Sequence, residues 1–382
     1  MARRAFVVVV DGCGVGALAD AADYGDAGAN TLLHVAQAVG GLSLPVLGAL
    51  GLGNILELPG VAPSPSPVLH GSLHALGPGK DSIAGHWELA GVLATTAPPT
   101  FPRGLPTALL ARVEAVIGTP VLCNLAYNGV AAIDDYGAEH LARRRPILYT
   151  SVDSVVQLAA HTSVMAPSAL YAACEALRRE LPDVGRVIAR PFDGAAGAFE
   201  RTLGRRDYAL GPPTRSHLDA LLDAGIPVHG VGKAPSLFDG AGFSETHPGA
   251  DNAQAVASVD RLIGQLEGGA VFANLIETDQ IYGHRKDVEG FAAALADFDQ
   301  ALGRWLERLG EEDLLIVTAD HGCDPASPHT DHTREHVPLL ARFSSHGGRR
   351  HDGPLADVGA SVLDWLTATS APLPGRSFVG RA

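Results

Sequence analysis

Three continuous apolar runs constrain this chain more than any other feature: Phe6–Val10, Ala270–Ile276 and Leu314–Thr318. Pro227–Val231 and Pro338–Phe343 are shorter candidates of the same kind. A strand wetted on one side alternates polar and apolar residues; an unbroken apolar strand belongs in a parallel sheet covered on both faces. Between two of these runs, Val288, Phe291, Leu295, Phe298, Leu302, Trp305 and Leu309 recur at 3-4-3-4 spacing, which predicts one apolar stripe on a helix. Asp287 is its expected N-cap and Gly310 its expected stop. The stripe lasts only about three heptads and contains Gly303, so it predicts a helix packed on a sheet rather than a coiled coil. Strand, helix and strand make a βαβ unit, hence an α/β fold.

The 382 residues exceed a usual domain of roughly 100–200. The middle reads differently from the ends. Residues 97–216 hold shorter strand candidates (Pro120–Leu125, Pro146–Tyr149, Gly185–Ala189) between helical stretches, and proline-containing segments flank them at 97–102 and 211–213. The expected organisation is a discontinuous core, 1–96 and 217–382, with an inserted α+β domain at 97–216. At 46% hydrophobic and 18% charged residues the chain is neither disordered nor of low complexity. Its 28 basic and 42 acidic residues give a net charge of −14, which argues against nucleic acid or an anionic membrane as a partner. Cys13, Cys123, Cys174 and Cys323 form no CxxC, which suits a cytoplasmic protein and speaks against a thiolate zinc site. The apolar run after Arg3-Arg4 stops at Asp11, too early for a signal peptide. Residues 36–56 lack charge but contain Pro45, Asn54 and several glycines, and so read as buried loop and helix rather than a membrane span.

Each of the three main strands leads into a carboxylate. Phe6–Val10 ends at Asp11, Ala270–Ile276 leads to Asp279, and Leu314–Thr318 leads to Asp320. Ligands of open α/β sheets bind just beyond the carboxyl ends of the strands. Three acids converging there repel one another unless cations lie among them. Histidines follow at once: His284 after Asp279, His321 beside Asp320, and His332 within Asp331-His-Thr-Arg334. A single Asp or His at a strand end is usually a cap. The joint pattern predicts a dinuclear metal site with mixed carboxylate and imidazole ligands, suited to manganese or zinc and to phosphoryl transfer.

Ser82 is the candidate nucleophile. It lies in the polar block Lys80-Asp-Ser-Ile-Ala-Gly-His-Trp-Glu88, where Asp81-Ser82 also reads as a helix start. A serine at a helix N-terminus gains from the dipole once it carries a phosphoryl group. The chain's three lysines, Lys80, Lys233 and Lys286, all lie in or beside such polar motifs. Gly12-Cys-Gly-Val-Gly16-Ala17 matches the dinucleotide pattern G-x-G-x-x-A, but Asp11 would face the pyrophosphate and no acid-ending strand follows about 20 residues on. Glycines permitting a tight turn beside a metal-binding carboxylate are the simpler reading.

Taken together, these motifs resemble those of bacterial phosphopentomutases, a family of the alkaline phosphatase superfamily. The resemblance runs through Asp11, Asp20–Asp26, Lys80–Glu88, Tyr149–Ser154, Arg190-Pro-Phe, Arg201–Arg205, Gly232-Lys233, Asp279–Asp287 and Thr318–Glu335. It implies an alkaline-phosphatase-like core, a mostly parallel sheet with helices on both faces, and an inserted cap. It implies two Mn2+ ions, a role other divalent metals can also fill: Asp11, Asp320 and His321 would hold one, and Asp279, His284 and His332 the other. Ser82 would bridge them as the phosphorylated residue. Ser151, Asp153, Arg190, Arg205 and Lys233 match positions that contact the sugar phosphate. The implied reaction interconverts ribose 1-phosphate and ribose 5-phosphate, and their 2-deoxy counterparts, with a sugar bisphosphate as activator. The chain departs from the family in having Ser82 for the usual threonine, Ala84 for a small hydroxyl residue, and Asn124–Val130 for a Ser-Gly-Thr pattern; these departures bear on sugar preference. The competing expectations are a related metal-dependent mutase or phosphatase acting on another sugar phosphate, and a metal-stabilised binding protein without catalysis. The Asp81-Ser82 context argues against the last.

Overall fold

A computed structural model describes residues 2–95, 99–151, 154–344 and 347–380. The chain divides into two compact units, one of Met1–Thr96 with Pro212–Ala382, the other Ala97–Gly211. The second unit ends before residue 216 because Ser216 belongs to the first: it caps the His217–Asp223 helix, exchanging hydrogen bonds with Asp219.

Fourteen strands run through the described residues. β1 (Arg4–Val10) and β2 (Leu69–His74) precede the second unit. That unit contains β3 (Leu122–Ala126), β4 (Ile147–Thr150), β5 (Val155–His161), β6 (Arg186–Ala195), β7 (Ala198–Arg201) and β8 (Arg206–Ala209). After it come β9 (Val228–Val231), β10 (Glu245–His247), β11 (Gly269–Leu275), β12 (Asp313–Thr318), β13 (Val337–Arg342) and β14 (Gly353–Pro354).

The first unit is built on an eight-stranded sheet in the order β10-β9-β11-β1-β12-β13-β2-β14. From β10 to β12 all neighbours are parallel; β13 is antiparallel to both β12 and β2. β11 and β12 are buried along their whole length, and β1 from Ala5 onward, as continuous apolar strands between helical layers must be. Helices cover both faces. The predicted stripe forms the Val288–Leu306 helix, with Asp287 as N-cap accepting from Gly290 N–H. It ends before Gly310 because its last turn tightens, Arg308 and Leu309 both donating to the Trp305 carbonyl. The uncharged stretch after Gln37 contributes the short helices Pro45–Leu50 and Leu52–Ile55. No helix among the described residues is long and apolar enough to cross a membrane.

In the second unit, β3 to β7 form a mixed sheet in chain order, with β8 pairing β6. The Pro167–Glu180 helix packs Leu170, Cys174 and Leu177 against Leu158, Val187 and Ala189 of the sheet. All four cysteines are free.

Candidate active site

The parallel registers bring the ends of β1, β11 and β12 side by side: Val9 pairs with both Asn274 and Thr318. Asp11, Asp279 and Asp320, which follow these strands, therefore converge, and all three are buried. The backbone just beyond each strand is specialised. Gly12 has φ +74° and approaches Cys323 so closely that a Cβ would lie 2.9 Å from the Cys323 Cβ. Asp279 sits in a single π-helical turn, Thr278–Tyr282, a geometry common at functional sites. The Thr278 hydroxyl ties that turn to β1 by donating to the Asp11 carbonyl at 2.6 Å.

The sequence-predicted donors come together in two groups around Asp279 and Asp320. Asp11, Asp320 and His321 offer ligand atoms within 4.8 Å of one another, as expected; of the other expected trio, Asp279 and His332 group in this way with His321, and Asp279 and His284 with Cys323, a thiol that sequence reasoning did not place here. His321 Nε2 lies 3.4 Å from both Asp11 Oδ1 and Asp320 Oδ2. His284 Nε2 lies 3.5 Å from Asp279 Oδ2, and His332 Nε2 lies 3.4 Å from Asp279 Oδ1. His321 Nδ1 donates to the Gly322 carbonyl and His284 Nδ1 to the Thr330 carbonyl. With that proton on Nδ1, each Nε2 turns a bare lone pair toward the carboxylates, as a metal ligand must.

The donor set fits divalent metal ions. Asp279 Oδ1 and Asp320 Oδ2 are fully buried and make no regular hydrogen bond; they face imidazole nitrogens, His332 Nε2 at 3.4 Å and His86 Nδ1 at 3.0 Å, an expensive setting for three clustered carboxylates unless cations lie among them. The electrostatics agree. Burial, with the Asp320 and Asp279 carboxylates, pushes the Asp11 carboxyl up to about 6. Burial acts likewise on Asp279 and Asp320, but their histidine neighbours outweigh it and hold both below the usual carboxylate range. Burial lowers the His332 imidazole, but pairing with Asp279 outweighs it and pushes the ring up to about 9. The cluster attracts positive charge, and oxygen-rich sites with imidazole suit manganese or zinc.

Ser82 stands among these groups. Its hydroxyl lies 3.2 Å from His321 Nε2 and 3.4 Å from Asp11 Oδ1. It is the first residue of the Ser82–Leu89 helix, whose N-cap Asp81 accepts from the Ile83 and Ala84 N–H groups. Gly85, one turn in, approaches the end of β12: a Cβ there would lie 2.4 Å from the Asp320 carbonyl oxygen. The helix thus delivers Ser82 to the carboxylates only because residue 85 lacks a side chain. Glu88 fixes the entering loop by accepting from Leu76 and Gly77 N–H.

Three residues that sequence reasoning left without a role support this arrangement. Asn274 Nδ2 donates to Asp11 Oδ2 at 3.0 Å and to His86 Nε2 at 2.9 Å. His86 Nδ1 donates to the Ser82 carbonyl at 2.9 Å. Asp26, buried, receives Lys80 Nζ at 3.1 Å, His329 Nε2 at 2.8 Å and the Arg334 N–H at 2.8 Å. A signal existed for Asn274, a lone amide inside an otherwise apolar strand. The glycines of the dinucleotide-like pattern serve close packing instead: a Cβ on Gly14 would meet the Glu335 carboxylate.

Lys233, just beyond β9, acts on Asp11, its charge pulling that carboxyl downward against burial. The other predicted substrate residues belong to the second unit. Arg190, on β6, donates to Gln157 at 3.1 Å, and Arg205 makes paired hydrogen bonds to Asp207. Burial, together with the charges of Arg205 and Arg201, pushes the Arg190 guanidinium below its usual range. The Tyr149 hydroxyl is buried beside Arg201. Ser151 follows β4 and is half-buried. Asp153 lies outside the described residues.

The Metalloenzyme superfamily model matches residues 3–370. With this core, it defines the class: an enzyme of the alkaline phosphatase superfamily. Phosphopentomutase of Anaeromyxobacter dehalogenans (strain 2CP-1 / ATCC BAA-258) is 46% identical over 380 residues, covering 97% of each chain. That of Syntrophotalea carbinolica (strain DSM 2380 / NBRC 103641 / GraBd1) is 47% identical, covering 88% of this chain and 87% of its own. The chain belongs to the phosphopentomutase family. Among solved structures, Leishmania mexicana phosphoglycerate mutase shares the fold, with a TM-score of 0.52 at 13% identity over 99% of this chain and 97% of its own.

Proposed function

We propose that this enzyme interconverts ribose 1-phosphate and ribose 5-phosphate, and their 2-deoxy counterparts, through a phosphorylated Ser82. The observation that carries the reading is the Ser82 hydroxyl at a helix N-terminus, 3.2 Å from His321 Nε2 and 3.4 Å from Asp11 Oδ1, in a chain of this family. Asp11, Asp320 and His321 would hold one divalent ion, and Asp279, His284 and His332 a second, with manganese the expected metal. Bound there, the ions would offset the negative charge of the transferring group and lower the barrier to forming and breaking its bonds to oxygen.

The chain's own residues do the rest. The free hydroxyl of the sugar phosphate attacks the phosphorus of phosphorylated Ser82; the bond to Ser82 Oγ breaks and a 1,5-bisphosphate results. Ser82 Oγ then attacks the other phosphoryl group, releases the isomeric monophosphate and is phosphorylated again. A sugar bisphosphate primes the resting enzyme by the second of these steps. Asp81 holds the helix turn that presents Ser82, and the positive end of that helix's dipole favours the added phosphate. Ser151, Asp153, Arg190, Arg205 and Lys233 are the proposed contacts of the sugar phosphate, the arginines suited to paired hydrogen bonds with its phosphate. The proposed setting is the cytoplasm.

The test is incubation with ribose 1-phosphate, a trace of labelled 1,5-bisphosphate and Mn2+, followed by product analysis and mapping of the label. Ribose 5-phosphate with label on Ser82 is expected. Free phosphate released faster than 1-to-5 transfer would make the enzyme a phosphatase, and label on another residue would overturn the role of Ser82.

A further inference from the structure

The β10 edge of the first unit's sheet carries a second cluster of metal-type donors. Glu245 and His247 lie two residues apart on β10, so their side chains leave the same face. His229 on β9 is the register partner of Glu245 and presents its ring on that face too. His229 Nδ1 lies 3.0 Å from His247 Nε2 and 3.7 Å from Glu245 Oε2. The two rings stack with centroids 5.2 Å apart, and one ligand atom from each residue falls within 4.8 Å of the others. Tetrahedral zinc, with Zn–N of about 2.0 Å, sets donor separations of roughly 3.3 Å; the observed 3.0 and 3.7 Å bracket that value.

From this geometry we infer a separate site for an imidazole-preferring divalent transition metal, zinc being the probe of choice, held by His229, His247 and Glu245 with solvent completing the shell. Its donors differ in kind from the aspartate-rich cluster around Ser82: two imidazoles and one carboxylate suit zinc, nickel or copper better than manganese. Glu245 is exposed and His247 partly so, which gives the ion a path in, while His229 is buried and fixed by its strand.

One group opposes the site and makes it testable. Arg261, exposed on the Asn252–Gln265 helix, donates to His247 Nδ1 at 3.2 Å. That contact leaves the neutral ring's proton on Nε2, where it bonds to His229 Nδ1. For His247 Nε2 to bind a metal, the proton must move to Nδ1 and the guanidinium must swing away; no proton is gained or lost overall. The arginine is therefore a built-in competitor. The site also bears on its surroundings, because the His247 carbonyl accepts from Gly232 N–H, next to Lys233. An ion joining β9 to β10 would stiffen the strand end that carries that lysine.

The experiment equilibrates the manganese-loaded protein with chelator-buffered micromolar Zn2+ and counts total bound metal by elemental analysis. The wild type should hold one equivalent more than His247→Ala. Glu245→Gln, at an exposed position, should weaken the extra equivalent about tenfold, because a neutral amide replaces the site's one anionic ligand. Arg261→Ala should tighten it by about threefold or more, because a cation no longer meets a cation. Equal metal counts in wild type and His247→Ala would overturn the site. So would Arg261→Ala binding zinc no more tightly than wild type, a result that needs no histidine variant to fold.

Discussion

The Asn274 amide and the Asp11 carboxylate are 3.0 Å apart at the ends of adjacent strands, and the same amide nitrogen also donates to His86. Both amide hydrogens are thereby committed. Asp11 Oδ2 is satisfied by Asn274, which leaves Oδ1 to face Ser82 and His321. The His86 ring is oriented between Asn274 and the Ser82 carbonyl. Groups that orient metal ligands from behind are worth about 10–100-fold in metal affinity. Asn274→Ala should weaken Mn2+ binding by about that factor while the protein stays folded; equilibrium dialysis checks the affinity and circular dichroism the fold. Unchanged affinity would reduce Asn274 to packing.

Ser82→Ala should leave metal content and melting temperature close to wild type and abolish transfer. The hydroxyl is buried but makes only long contacts, at 3.2 and 3.4 Å, so little stability depends on it. Ser82→Thr should retain activity, because it keeps the hydroxyl at the same backbone position. Assaying both variants beside metal analysis separates a lost nucleophile from a lost metal. Residual transfer by Ser82→Ala at more than a few per cent of wild type would point to another acceptor.

The core strands were legible because they are buried on both faces: β1, β11 and β12 each begin and end within a residue or two of their apolar runs, apart from Arg4 of β1, whose side chain pairs outward. The carboxylates that follow them were legible for the same reason, since strand ends locate sites in such sheets. β2 was not. Leu69-His-Gly-Ser-Leu-His carries little strand signal, and Gly71 is needed because the His351 carbonyl passes where a Cβ would stand. β5, with Gln157, Ala159 and Ala160, is a strand only because β4 and β6 lie on either side of it. The pairing of Asn274 with His86 stayed hidden for a related reason: the two lie 188 residues apart along the chain, and only the topology brings them together. The polar block at Lys80 announced a site, but nothing in its spacing showed that Asp26 would anchor it.

Asp26 joins the loop before Ser82 to the loop that carries His332. Its buried carboxylate accepts from Lys80 on one side and from His329 and the Arg334 backbone on the other. Lys80 is largely buried as well, so removing the carboxylate leaves the lysine, among the described residues, with Asp331 at 3.6 Å as its remaining ion-pair partner. Breaking a buried pair from one side costs about 3 kcal/mol or more. Asp26→Ala should lower stability by about that amount in urea. It should also reduce turnover more than metal content, since the ligands persist but the two loops lose their common tie. Wild-type stability with wild-type turnover would remove Asp26 from the supporting structure.

The pair at the other end of the sheet predicts a pH dependence. Arg4 and Asp313 begin β1 and β12 in register, and two guanidinium nitrogens donate to the carboxylate at 2.7 Å each. Burial raises the Asp313 carboxyl, but the Arg4 hydrogen bonds and the Gly310 N–H outweigh it, leaving it below its ordinary value of 3.8. A carboxylate depressed in the folded state binds fewer protons there than in the unfolded chain, so stability rises with pH across the window between the two values. The stabilisation is fully present above about pH 4–5 and is lost as pH falls from there through the folded value. Asp313→Asn keeps the shape and removes the charge. At pH 7 it should destabilise the protein by about 2 kcal/mol, the usual worth of a charge-assisted bidentate pair. As the medium is acidified below pH 4, the gap should narrow, because the wild type loses its carboxylate and the variant has none to lose. Urea melts of both proteins at pH 7, 5, 4 and 3 measure it; a gap independent of pH would show that the contribution of Asp313 comes from its shape and neutral hydrogen bonds rather than its charge.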